Sequence, residues 1–159
     1  LQTQGERTGG ADGLALLADA VTAYRDALAV HTKAAMPAQW AMTQNNLGTA
    51  LQTQGERTGG ADGLALLADA VTAYRDALSV YTQAAMPAQW AATQNNLGTA
   101  LRTQGERTGG AAGLTLLADA VTAYRDGLTV WTVEHFGYYH DIAQRNLDRT
   151  RALIAERGG

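Results

Sequence analysis

An all-α fold, arranged as a right-handed superhelix of antiparallel helix pairs, is what this sequence predicts. Two observations carry the prediction. The chain has 159 residues and repeats itself with a period of 50: residues 1–50 and 51–100 differ only at Ala29/Ser79, His31/Tyr81, Lys33/Gln83 and Met42/Ala92. Residues 101–130 keep 25 of the 30 letters at 51–80 before the third copy diverges. A fixed period of this length marks a stacked-repeat architecture. The second observation is apolar spacing of three and four within each copy, with no useful stretch of period-two alternation. That is the signature of helix rather than strand.

Each copy reads as two helices, about six long helices in all. In the second copy Leu64, Leu67, Val71, Tyr74, Leu78 and Tyr81 form one apolar stripe, predicting a helix over 63–84. Asp62 stands just before it, placed to cap the first turn. Pro87 suits a first helical turn and opens the next helix. That helix carries Trp90, Leu97, Ala100 and Leu101 on one side and is expected to stop near Gly105. The run Glu106-Arg107-Thr108-Gly109-Gly110 reads as a polar loop. The first copy gives matching helices over 13–34 and 37–54. Gly48, Ala50, Gly98 and Ala100 fall where one helix passes close to another, and larger side chains there would hold the helices apart. A lone pair cannot bury its stripe, so the pairs are expected to stack as one array over 1–159, with copies at 1–50, 51–100 and 101–150.

The third copy turns into a cap. Gly98, Ala100 and Leu101 become Asp148, Thr150 and Arg151, and Trp90 becomes His140. A final helix over about 138–157 keeps Ile142, Leu147, Leu153 and Ile154 on its inner edge and charges the other side, as an uncovered end requires. The chain begins at Leu1 in mid-repeat, which reads as a piece of a longer protein.

Composition excludes several classes of function. A net charge of -3 gives no broad basic field for nucleic acid or an acidic membrane. Cysteine is absent, so disulfide and thiol chemistry are out. No apolar run approaches the roughly 18 residues of a membrane span, and no signal peptide is visible. A cytoplasmic location is the expectation. The stretch from Gly5 to Gly10 imitates the start of a phosphate loop, but Ala11-Asp12 stands where Lys and Ser/Thr belong, and it follows a helix. It reads as a plain connector, with Arg7, Arg57 and Arg107 in a row on one edge. His135 and His140, near Glu134 and Asp141, lack a third ligand at useful spacing, so no metal is expected. Phe136, Tyr138 and Tyr139 are expected to pack against Trp131. No nucleophile, base and acid stand together, so neither an enzyme activity nor a cofactor is expected.

The segment Asn46-Leu47-Gly48-Thr49-Ala50-Leu51, followed by Gly55, resembles the first helix of a tetratricopeptide repeat. Ala70, Tyr74, Ala77 and Leu78 are similar to its second helix. The likeness recurs at Asn96 to Leu101 with Gly105, and at Ala120, Tyr124 and Leu128. The usual unit has 34 residues, so a unit of 50 implies longer helices and a longer inner loop. Trp40 and Trp90 open a Trp-Ala-x-Thr-Gln-Asn-Asn-Leu-Gly core like that of long bacterial arrays. The resemblance implies a protein-binding scaffold without chemistry of its own, whose first helices line a concave groove. Carried over, the groove residues are Asn45, Thr49 and Gln52, then Asn95, Thr99 and Arg102, then Arg145 and Arg149. Spacings of four and three keep each set on one helix face. The asparagines would hold a peptide backbone, and the arginines a partner's carboxylate. A structural spacer or self-assembling rod is the alternative. Self-association through the exposed N-terminal repeat end belongs to that reading.

Overall fold

A computed structural model describes residues 10–158. Contacts divide the chain into two compact units, Leu1–Val80 and Tyr81–Gly159. The first holds α1 (Gly10–Val30), α2 (Pro37–Glu56) and α3 (Gly60–Leu78). The second holds α4 (Pro87–Arg107), α5 (Gly110–Leu128) and α6 (Val133–Glu156). There is no strand among the described residues. Within the first unit α2 packs along α3 and also against α1; within the second, α5 packs against both α4 and α6, and α6 also touches α4. The helix pairing expected from the apolar stripes is therefore present inside each unit.

Local chemistry explains most boundaries. Pro37 and Pro87 occupy the first turns of α2 and α4, where a missing N–H costs nothing. Arg57, Thr58 and Gly59 join α2 to α3, and only Thr108 and Gly109 join α4 to α5, so the inner loop is short. The following glycines, Gly60 and Gly110, have φ of 64° and 66°. Those left-handed values suit glycine alone among ordinary residues and turn the chain back on itself. The longer repeat goes into helices of 19–21 residues and into the connector before Pro87.

Several expected boundaries move. The helix expected over 63–84 spans Gly60–Leu78, and the one over 13–34 spans Gly10–Val30. Thr32 and Thr82 then form turns, accepting hydrogen bonds from the Met36 and Met86 amides at 2.9 Å. Asp62 lies inside the first turn of α3, not ahead of it, and makes no capping hydrogen bond; its carboxylate still faces the positive helix end. Gly105 is not a stop but an interior residue of α4. A Cβ there would come 3.0 Å from Leu117 Cγ, so glycine serves close packing. The last helix, Val133–Glu156, is broken at a non-helical Phe136 (φ -139°, ψ 51°), so its long part begins just after the break, close to the expected 138, with a short turn ahead of it. Met36 (φ -139°, ψ 66°) and Met86 (φ -141°, ψ 69°) have nearly the same backbone. The repeat thus keeps its break in the third copy after losing the proline. Leu1 to Gln4, the Gly5 to Gly9 stretch and Arg7 lie outside the described residues.

The tightest packing joins a glycine to a tyrosine. A Cβ on Gly48 would stand 2.6 Å from Tyr74 Cε1, and one on Gly98 2.7 Å from Tyr124 Cε1. Both tyrosines are 0% exposed. The ring of the second helix lies flush on the backbone of the first, and Ala50 and Ala100, also buried, continue the narrow strip.

The second unit is closed by Arg157. Its Nη1 donates to the carbonyls of Gly105 (2.8 Å) and Thr108 (2.9 Å), and its Nη2 to that of Glu106 (2.6 Å). These carbonyls end α4, where four acceptors lack helical partners and the dipole is negative. One guanidinium therefore ties the end of α6 to the end of α4.

Gly98→Ala should destabilise the chain by about 1–3 kcal/mol in urea unfolding, because overlap with the ring outweighs the roughly 1 kcal/mol that alanine gains in helix propensity. Gly109→Ala, where a Cβ meets nothing within 4 Å, should be close to neutral. Arg157→Ala should cost about 1–3 kcal/mol through three lost charge-assisted hydrogen bonds. It should also speed amide hydrogen exchange at the α6 C-terminus ahead of the rest of α5 and α6.

Candidate functional site

The expected groove residues occupy three helices. Asn45, Thr49 and Gln52 are on α2, Asn95, Thr99 and Arg102 on α4, and Arg145 and Arg149 on α6. All six on α2 and α4 are partly buried, whereas Arg145 and Arg149 are exposed.

Thr49 and Gln52 have a structural task that sequence reading missed. The Tyr74 hydroxyl donates to Gln52 Oε1 at 2.8 Å and also lies 3.2 Å from Thr49 Oγ1. Gln52 Nε2 in turn donates to Glu56 Oε1 at 2.9 Å. A buried phenol needs such partners. The signal was available: a tyrosine on the core stripe has a hydroxyl to satisfy, and the small residues opposite show where its ring lands.

In the second unit the arrangement changes at one position. Arg102 replaces Gln52, and a guanidinium has no acceptor to offer. The Tyr124 hydroxyl pairs with Thr99 Oγ1 at 2.9 Å instead. Arg102 is only 13% exposed and its Nε lies 3.3 Å from Glu106 Oε1, close enough for an ion pair but without hydrogen-bond alignment. Its Nε and Nη1 are buried and make no hydrogen bond among the described residues, and the same is true of Asn95 Oδ1. The positive charge of Arg149 also acts on Tyr124. Thr99 thus contacts this phenol, and the charges of Arg102, Glu106 and Arg149 form the group that acts on it through space. Arg145 is not part of that group: its Nε donates to the Asp141 carbonyl at 3.3 Å, and with Asp141 and Gln144 it lines a separate depression.

The two phenols are held in their neutral form. Burial is the largest cause at Tyr74 and Tyr124, raising both above the ordinary tyrosine value. At Tyr124 the Thr99 hydrogen bond and the charges of Arg102 and Arg149 work against burial. Tyr81 is also raised by burial.

The histidines form no shared site. His135 Nδ1 lies 3.4 Å from Thr132 Oγ1, and His140 Nδ1 3.2 Å from Asp141 Oδ1. Among the described residues no three metal-ligating side chains converge, and no helix is long and apolar enough to cross a membrane. Compared with protein-family models, characterised proteins and solved structures, the chain gives no significant match.

The raised phenols set a pH dependence. The unfolded chain releases these protons near pH 10, while the folded chain retains them to higher pH. Stability is therefore fully present below about pH 10 and falls as pH rises through the folded values. Urea midpoints should begin to drop as pH rises past about 10 and keep dropping above about pH 11, and the Tyr74→Phe/Tyr124→Phe double variant should flatten that drop.

Proposed function

We propose that the chain is a non-catalytic scaffold that binds a peptide or protein segment along the polar faces of its first helices. The carrying observation is the unmet hydrogen bonding on one face of α4: a carbonyl oxygen of Asn95 and two N–H groups of Arg102. Buried groups without partners cost about 1–3 kcal/mol each, so turning these side chains out to a bound peptide backbone or carboxylate recovers what they lack inside. Repetition supports the reading, since the Asn-x-x-x-Thr spacing recurs at Asn45/Thr49 and Asn95/Thr99 while the residues around it scarcely change.

Stacking of the pairs into a right-handed solenoid with a concave groove belongs to this proposal, as does the tetratricopeptide likeness. Thr49, Gln52 and Thr99 then act chiefly by holding the tyrosines that space the helices. Asn45, Asn95, Arg102 and Arg149 supply the recognition, with Arg145 at the margin. The basic end selects partners with an acidic group, since arginine pairs with carboxylates in a two-pronged geometry.

On an array of peptides, binding should weaken about fivefold or more for Asn95→Ala and for Arg102→Ala. Binding of the acidic peptides should also weaken between low and high salt. Retention of every interaction by both variants would remove the groove. Growth of mass with concentration in light scattering, without peptide binding, would favour the self-assembling rod.

A further inference from the structure

A cavity of about 400 Å³ opens in the second unit, with Ala88, Ala92 and Asn95 of α4 on one wall and Trp131, Phe136 and Tyr139 on the other. Its volume falls in the roughly 300–1,000 Å³ range of ligand pockets.

Three features mark it as a built site. The first is the choice of Ala92. Copies one and two differ at four positions, and one of them replaces Met42 by Ala92, removing a long side chain from this wall. The second is the opposite wall, which gains two aromatic residues by substitution: Met86 and Gln89 correspond to Phe136 and Tyr139, while Tyr81 corresponds to Trp131. The Trp131 and Tyr139 rings stack with centroids 5.0 Å apart and planes at 23°. Phe136 and Tyr139 nonetheless remain 39% and 49% exposed. A terminal cap gains solubility from polar residues on its outer face, so capping does not account for this stretch, whereas an interaction site does. The third feature is polar. Asn95 combines a place on the α4 wall with an Oδ1 that accepts no hydrogen bond.

The geometry points to this cavity as the anchor subsite for one aromatic side chain of a partner protein segment that also carries a carboxylate. The inference rests on the proposed peptide-binding reading of α4. Aromatic walls favour a ring through offset or edge-to-face packing, and a ring brings a large apolar area for few rotatable bonds. The carboxylate follows from charge and spacing. Arg102, which Glu106 neutralises only at Nε, is seven residues along α4 from Asn95, about 10 Å at 1.5 Å per residue, and the positive charge of Arg149 acts on Tyr124 as that of Arg102 does. An extended peptide spans that distance in about three residues. The segment therefore carries an aromatic residue with an acidic residue, or its own C-terminus, about three positions away.

Ala92→Met is the decisive variant, because copy one carries Met42 at the matched position of α2 and leaves it 52% exposed. Random peptides displayed on phage and selected on the 159-residue chain should converge on that aromatic-and-acidic spacing. In calorimetry Ala92→Met should raise Kd of a selected peptide about tenfold or more, with the urea midpoint preserved. Replacing the peptide's aromatic residue by alanine should do the same. Phe136→Ser, which removes a partly exposed ring without filling the cavity, should also weaken binding. Peptides that lose affinity with Arg102→Ala but ignore both Ala92→Met and Phe136→Ser would overturn the anchor and leave the peptide-binding reading in place. Selection of no peptide would overturn both. Selected peptides without an acidic group would overturn the paired chemistry, and self-association abolished by Ala92→Met would assign the cavity to a second copy instead.

Discussion

The contact between a glycine in one helix and a tyrosine in the next sets the geometry on which the rest depends. Gly48 and Gly98 have no side chain, so Tyr74 and Tyr124 lie against bare helix backbone and are wholly buried. Close-packed interiors leave little room for adjustment, and one added methyl group would have to displace an entire ring. The ring fixes how near the helices come, and its hydroxyl fixes their register. Thr49 and Gln52 receive that hydroxyl in the first unit, and Thr99 does so in the second. The polar face of each first helix is thereby positioned by the same residue that closes the core beneath it.

Much of this was legible in the letters. Spacings of three and four located α3 and, through the repeat, α1, the prolines placed the starts of α2 and α4, and the small residues marked the close approach. The errors have physical causes. Gly105 reads as a helix stop because a terminal glycine and a packing glycine look alike in sequence; only the position of Leu117 separates them. The stripe through Tyr81 was extended too far because apolar spacing alone does not register the turn at Thr82. The contact of Thr49 and Gln52 with Tyr74 is hidden in the sequence, since a polar face looks the same whether it meets a ligand or a buried phenol. The cavity beside Ala92 was invisible, because its walls come from α4 and from the segment between Trp131 and Tyr139, and no periodicity links those segments.

The repeat differs chemically between its units at a few positions. Arg102 in place of Gln52 leaves a tyrosine with one partner fewer and places on α4 a guanidinium that pairs with Glu106 but makes no hydrogen bond through Nε or Nη1. Ala92 in place of Met42 clears space, and the aromatic residues after Trp131 line it. Arg157 then ties the final helix to the end of α4 by three carbonyls. The repeated frame supplies position, and these few departures carry the proposed recognition.

A double-mutant cycle between Gly98→Ala and Tyr124→Leu tests the central claim most directly. Leucine removes the ring that an alanine Cβ would strike. If the glycine–tyrosine contact sets helix spacing, most of the cost of Gly98→Ala should vanish in the Tyr124→Leu background, a coupling of about 1–2 kcal/mol in urea unfolding. Additive effects within about 0.5 kcal/mol would contradict the account.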